Sequence, residues 1–393
     1  MSTRSTLEFL KTETGSGLLL AAGAFLAIAW ANSPAAGSYA LIVDYPILVQ
    51  LGPFSEQMSL GGWVKTALMP IFFFIVGLEI KYEVLRGELS NPRRLALPVV
   101  AALGGVAVPA AIYLALNAGP GGSPQGWPTP AATDIAFALA ALSLVAARLP
   151  PTLRIFLLTV AIADDLAAVV LIAVLFTSDI RPWMLAGAAA TLAVLGAMSR
   201  WRGAPYVFWA VGAILLWGFT LKSGVNTSLA GVAAALCVPL EPKRPGGQGV
   251  LQELMDALHP YVAFLILPLF AFTAAGFSAQ GLPPAAFTGP IALGIATALF
   301  VGKAVGVFGA ASLMIGLKLV RRPTGATWLE LFGVSVLCGI GFTMSFYIGA
   351  LAFPETDALA QTQVRIGVLM GSLASAAVGM AVLGWCQARR DAV

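Results

Sequence analysis

Two aspartates, Asp164 and Asp165, stand in succession at the tenth and eleventh places of a 22-residue apolar run, Ile155 to Phe176, in which Thr159 is the only other polar side chain. A carboxylate at the centre of a bilayer costs about 2.5–3.5 kcal/mol on insertion scales, and acids that persist there face a water-filled cavity, a partner or an ion. Two in succession need two sets of partners, so a purely structural buried pair is the weaker explanation. A hard metal cation prefers oxygen ligands, and a carboxylate serves it only when deprotonated. Proton and cation therefore exclude one another, and that competition is the chemistry this pair can do. Neighbours on a helix stand about 100° apart, so one acid faces the ion more directly than the other. Groups this close titrate as a unit.

Three more ionisable residues need an account. Asp134 follows Trp127-Pro128-Thr129-Pro130-Ala131-Ala132-Thr133. The two prolines remove backbone donors and hold the residues before them away from helical geometry, which predicts a broken start to this span. Lys303 is as central as the aspartates, thirteenth in the 27-residue stretch Ile291 to Leu317. Gly302 and Gly306 flank it at a spacing that lets another helix approach closely, as Gly367 and Gly371 do later in the chain. Glu79 closes the run Ile71 to Leu78 beside Lys81 and Glu83. It reads either as an acid reaching interfacial water or as a pH sensor.

A second break is predicted at Cys338-Gly339-Ile340-Gly341-Phe342-Thr343, where Gly339 and Gly341 weaken a helix in mid-span. Non-helical backbone at that depth is tolerated only where protein or a cavity satisfies its N–H and C=O groups. Half-helix ends carry about half an elementary charge each. Asp134 suits a positive end, as dipole neutraliser or ion ligand. Lys303 suits a negative end or pairs with one of the two aspartates, as a structural counter-charge or as a proton carrier whose burial eases deprotonation.

The elements that must position these residues are membrane spans. The chain of 393 residues is 59% hydrophobic and 10% charged, with a mean hydropathy of +0.89, which excludes an ordinary soluble domain. Spans of roughly 20 apolar residues fall near 15–31, 62–82, 94–116, 127–147, 153–176, 183–199, 205–220, 224–240, 258–277, 287–315, 328–353 and 364–387. No polar linker divides them, so one integral membrane domain, 1–393, is expected. A signal peptide is the rival for the first span, and Glu8 and Glu13 argue against it. Leu41 to Phe54 mixes β-branched and aromatic residues with Pro46, Gly52 and Pro53, and reads as a periplasmic strand pair within 41–59.

Alternate loops separate the basic residues. Arg4, Lys11, Lys81, Arg86, Arg93, Arg94, Arg148, Arg154, Arg200, Arg202, Lys243, Arg244, Lys318, Arg321, Arg322, Arg389 and Arg390 share one side with both termini, against Lys65, Arg181, Lys222 and Arg365 on the other. Positive charge is retained in the cytoplasm, so both termini are expected there. The net charge of +4 is thus an orientation signal and gives no reason to expect nucleic-acid binding. Cys237, Cys338 and Cys386 are odd in number and lie in or beside apolar runs, as small core residues rather than a disulfide framework or metal site.

Together Phe73-Phe74-Ile75-Val76-Gly77-Leu78-Glu79, Ala131-Ala132-Thr133-Asp134-Ile135-Ala136-Phe137, Ala161-Ile162-Ala163-Asp164-Asp165, Gly302-Lys303 and Cys338-Gly339-Ile340-Gly341-Phe342-Thr343-Met344-Ser345 resemble the NhaA-type sodium/proton antiporters of bacterial inner membranes. The likeness runs over nearly the whole chain. It implies an all-α polytopic membrane protein with twelve helices, two of them unwound and crossing at Gly339, Gly341 and Thr343 and at the break before Asp134. It also implies a Na+ (or Li+) site at Asp164 and Asp165 helped by Thr133. Electrogenic exchange for H+, a homodimer joined by the 41–59 hairpin, and a cytoplasmic pH-responsive region follow from the same resemblance, with no cofactor and no enzymatic activity. Two interrupted spans in corresponding three-span units, 94–176 and 287–387, point to an inverted repeat around a midplane site, a transporter pattern for which this family is itself a defining example.

Departures bear on the pH response. Asn226 stands where the family often has histidine, and an amide does not titrate; Ala274 replaces an asparagine. Glu253 and Asp256 offer acids before His259 in a shifted register, and His259, preceding Pro260, reads as a helix-start residue. Two other classes use similar residues. A sodium-coupled organic-anion symporter would need a larger polar pocket, and no such cluster is evident. An intramembrane aspartyl protease would need two acids on different spans, which Asp134 and Asp164 supply, but Lys303 and the doubled acid count against it.

Overall fold

A computed structural model of the chain describes residues 13–52, 54–87, 92–145, 148–177, 179–201, 204–241 and 249–391. Arg4, Lys11, Arg202, Lys243 and Arg244, counted above for orientation, lie outside these ranges, as does Glu8. Among the described residues seven helices are long and apolar enough to cross a membrane, and two bent pairs raise the number to nine. Three shorter apolar helices, Gly15–Ala31, Pro182–Met198 and Ser228–Cys237, accompany them. Internal packing divides the chain into two compact units, 1–34 with 91–168 and 274–393, and 35–90 with 169–273.

The first unit contains α1 (Glu13–Ala31), α4 (Pro92–Leu116), α5 (Ile135–Val145), α6 (Pro151–Leu175) through Ala168, α11 (Pro290–Gly316), α12 (Trp328–Leu337), α13 (Phe342–Ala352) and α14 (Ala358–Asp391). Both expected breaks are present. Short 3-10 turns at Pro124–Gly126 and Thr129–Ala131 precede α5, with a bend of 45° between Pro124–Ala131 and Ile135–Val145. The pair α12 and α13 bends by the same 45° across residues 338–341. Small residues bring backbones together elsewhere: a Cβ on Gly104 of α4 would lie 2.4 Å from the Gly306 carbonyl oxygen, and one on Gly306 would lie 2.2 Å from that of Gly104. No side chain fits there, so α4 and α11 touch main chain to main chain. Gly367 and Gly371 let α14 approach α11, where a Cβ on the first would lie 2.6 Å from the Ala292 carbonyl oxygen and one on the second 3.0 Å from that of Ala296. A capping box starts α12, Thr327 accepting from the Glu330 N–H while Glu330 accepts from the Thr327 N–H.

The second unit holds α2 (Ala36–Val43), a two-stranded antiparallel sheet of β1 (Pro46–Leu51) and β2 (Phe54–Ser59), α3 (Leu60–Leu85), the last turns of α6, α7 (Pro182–Met198), α8 (Tyr206–Ser223), α9 (Ser228–Cys237) and α10 (Val250–Ala275). The hairpin is shorter than the expected 41–59, because Leu41 to Val43 end α2. The Asp44 N–H still donates to the Ala40 carbonyl, and extended pairing begins only at Pro46, which has no N–H to prolong a helix. Lys222 of α8 pairs with Glu56 and donates to the Ser55 carbonyl at 3.0 Å, fixing β2. Gly231 of α9 sits so close to α3 that a Cβ would lie 2.1 Å from the Pro70 carbonyl oxygen.

Two more readings change. The span expected to start at 258 is a helix from Val250, so His259 and Pro260 are internal rather than at its entrance. The wider turn Val262–Ile266, a π-helical segment beginning two residues after Pro260, takes up the disruption the proline ring causes. Asn226 lies just before α9, its side-chain oxygen accepting from the Ser228 N–H at 2.9 Å. The cysteines agree with a core role: all three are free thiols, Cys338 and Cys386 buried and Cys237 half-buried.

Candidate ion-binding site

Asp164 lies on α6, whose unbroken apolar sequence gives a regular helix and so a fixed direction for the acid. Its side chain is 0% exposed, that of Lys303 also 0%, and Asp165 is 2% exposed on the adjoining face. Lys303 Nζ donates to Asp164 Oδ2 at 2.6 Å and to the Ala131 carbonyl at 2.6 Å. The sequence leaves open whether this lysine meets an aspartate or a helix end, and its ammonium contacts both a carboxylate and a carbonyl of the first break. Close approach of α4 at Gly104 and Gly105 admits the lysine stem, and the π-helical segment Ala298–Gly302 ends at the residue before it. Such wide turns recur at functional sites.

Thr133 occupies the non-helical stretch between Ala131 and α5. Its hydroxyl is 2.7 Å from Asp164 Oδ2 and 2.8 Å from the Cys338 carbonyl oxygen. A hydroxyl has one hydrogen to donate, and both neighbours are acceptors. One contact is therefore left without a hydrogen unless the carboxyl carries a proton or a cation is shared among the three oxygens. Asp164 Oδ1 is buried and accepts no hydrogen bond among the described residues.

Asp134 ties the two breaks together. Its main-chain N–H donates to the Ile340 carbonyl at 2.7 Å. Its carboxylate accepts from the Phe137 N–H at 3.1 Å at the start of α5, and from the N–H of Thr343, at 3.0 Å, and its hydroxyl at the start of α13. One negative group thus caps two half-helix N-termini, the arrangement in which helix dipoles favour an anion. Ser372 of α14 completes the second cap, its hydroxyl oxygen accepting from the N–H groups of Gly341 and Phe342 at 3.2 Å each.

The fold brings together Thr133, Asp134, Asp164, Lys303, Gly339, Gly341 and Thr343 of the predicted set, all within the first unit. The proposed pH-response residues Glu79, Glu253 and Asp256 belong to the second. There Glu79 is half-buried on α3, and Glu253 accepts from the Tyr206 hydroxyl of α8. Sequence reading missed Ser372, Tyr206 and the carbonyls of Ala131 and Cys338. Backbone oxygens have no signature in a sequence, and nothing separates Ser372 from the nearby Ser375.

The chain matches the family described as Na+/H+ antiporter 1 over residues 7–383. It is 46% identical over 395 residues to "Na(+)/H(+) antiporter NhaA" of Rhodospirillum rubrum, covering 98% of each chain. The protein of the same name from Nitrobacter hamburgensis is 47% identical over 377 residues, covering 96% of this chain and 90% of the relative. That of Caulobacter vibrioides is 46% identical over 392 residues, covering 98% and 92%. Matched along almost all of its length by the family and by these relatives, the chain belongs to the Na+/H+ antiporter 1 family.

Proposed function

We propose that this protein exchanges cytoplasmic Na+ or Li+ for external H+ across a bacterial inner membrane, with Asp164, Asp165 and Thr133 as the shared binding site. The observation that carries the reading is the Thr133 hydroxyl, one hydrogen facing two acceptor oxygens at 2.7 and 2.8 Å. A proton on Asp164 donated to Thr133 resolves that conflict, and so does a Na+ held by Asp164, Thr133 and the Cys338 carbonyl. Either occupant serves, and the same oxygens cannot serve both.

The step follows from charge. With Asp164 ionised, the Lys303 ammonium is its counter-ion at 2.6 Å. An arriving cation takes the ammonium's place at the carboxylate, and the lysine, left without its counter-charge, releases its proton to the cytoplasm; where Asp164 is protonated instead, the cation displaces that proton. Departure of the cation on the outer side lets protons return, and exposure of the site to one face at a time couples the fluxes. Asp164, Asp165 and Lys303 offer more than one group able to carry a proton while the site takes one cation, which supports electrogenic exchange with more protons entering than sodium ions leaving. Asp134 acts by neutralising the broken helices; its oxygens are committed to Phe137 and Thr343, which argues against an aspartyl-protease dyad.

Twelve crossings, an inverted repeat of 94–176 and 287–387, cytoplasmic termini and a hairpin-mediated homodimer belong to the same reading; nine long or bent spans and three shorter apolar helices among the described residues support the crossings, and the one-sided basic loops support the orientation. Glu79, Glu253 and Asp256 are then the acids through which cytoplasmic pH acts. Reconstituted protein should expel protons in response to Na+ or Li+ at alkaline pH without organic substrate, and Asp164→Asn should abolish this while the protein remains folded. Wild-type flux in Asp164→Asn would overturn the site, and a need for an organic anion would favour a symporter.

A further inference from the structure

We infer that α14 is the positioning element of the second break, acting through Ser372 at its middle and through Arg390 at its end. The N-terminus of α13 leaves the N–H groups of Gly341, Phe342 and Thr343 without helical partners in a buried setting, where each needs an acceptor. Asp134 supplies one for Thr343. The other two converge on a single oxygen, Ser372 Oγ, at 3.2 Å each. Ser372 is on a different helix from every other residue of the site, so the height of α14 sets the height of the break.

That height is fixed at the far end of α14. Arg390 grips Glu330 through two nitrogens, Nε to Oε1 at 2.6 Å and Nη2 to Oε2 at 3.0 Å, and Nη2 also donates to the Gly325 carbonyl at 2.6 Å. Glu330 is 1% exposed and lies in the first turn of α12. Helix α12 runs from this clasp to the Cys338 carbonyl that contacts Thr133. Between clasp and cap, Gly339 packs against Ser375 of α14, where a Cβ would come within 2.3 Å of the serine oxygen, so a slip of α14 along α12 meets the backbone of the break. Bidentate Arg–carboxylate pairs add geometric definition as well as attraction, and this one joins the first turn of α12 to the last of α14. Ser372, Glu330 and Arg390 are therefore positioning residues, acting on cation affinity through Cys338, Thr133 and Asp134.

The inference rests on the proposed exchange site, and the test separates the two. Na+-driven proton flux is measured in proteoliposomes for the wild type, Ser372→Ala, Ser372→Thr, Glu330→Gln, Arg390→Gln and the Glu330→Gln/Arg390→Gln double variant, with melting temperatures beside it. Glutamine at 330 preserves the capping box at α12 while removing the negative charge, and glutamine at 390 withdraws the guanidinium from both Glu330 and the Gly325 carbonyl. Ser372→Ala is expected to raise the KM for Na+ about tenfold, as loss of a buried acceptor implies, with Ser372→Thr returning toward wild type. Each glutamine variant should raise KM several-fold, and the double variant no further than the worse single, because both break the same Glu330–Arg390 pair. Lower melting temperatures with unchanged KM and unchanged pH profile would overturn the inference. Should Ser372→Ala fail to fold, the Arg390→Gln and Glu330→Gln results decide by the same criterion. Absence of flux in the wild type would instead sink the exchange reading itself.

Discussion

Asp164 and Lys303 illustrate how far single residues speak. An acid in a 22-residue apolar run is expensive enough to announce itself, and so is a lysine thirteenth in another. Their pairing was not readable, because sequence position does not fix which helix faces which. The structure supplies it at 2.6 Å, with both side chains enclosed. Removing one partner of a buried pair strands the other, at a cost of about 3–5 kcal/mol. Lys303→Ala should therefore melt well below the wild type. Asp134→Ala leaves the Phe137 and Thr343 N–H groups without an acceptor, at about 1–3 kcal/mol apiece, and should melt lower as well. For Asp134→Ala the loss of stability should exceed any loss of Na+ affinity; an unchanged melting temperature would mean that Asp134 does not neutralise the two helix ends.

At the scale of elements, the breaks were legible and their lengths less so. Pro128, Pro130, Gly339 and Gly341 forecast both interruptions, since these residues either cannot form or weakly hold helical hydrogen bonds. The hairpin was drawn too long, because Leu41-Ile42-Val43 is as compatible with a short helix as with a strand when its β-branched residues are read alone. The start of α10 was drawn too late for the opposite reason: Val250 to Leu258 is amphipathic rather than uniformly apolar, and Pro260 looked like a boundary. Packing between elements makes a further test. Gly306→Val would push a branched side chain into the Gly104 carbonyl and shift α11, which carries Lys303. Overpacking of this kind costs about 1–3 kcal/mol. A Cβ on Gly309 would meet nothing within 4 Å, so Gly309→Ala should leave stability and flux unchanged. Equal melting temperatures for Gly306→Val and Gly309→Ala would show that the tight crossing does not govern this region.

For the whole molecule, composition and the sidedness of basic loops indicated a polytopic membrane chain, and the family match identifies which kind. What sequence could not convey is that the site residues all fall in one compact unit and the proposed pH-response acids in the other. Contacts between distant segments create that division, and no local pattern encodes it. The hairpin, pinned through Lys222 to Ser55 and Glu56, is the surface proposed to join two copies. Replacing residues 46–59 with a short flexible loop should yield monomers by light scattering in detergent while flux per protomer persists; dimers that survive the replacement would move the interface elsewhere. The account as a whole depends on one binding site serving two ions in turn. Titration calorimetry of Na+ into purified protein over a pH series tests this most directly, run in two buffers of different ionisation heat so that released protons are counted. Because only the deprotonated carboxylate binds, raising the pH should tighten Na+ binding by up to about tenfold per unit for each proton displaced, with proton release at every pH where affinity changes. Tight Na+ binding that is independent of pH and releases no protons would contradict the account.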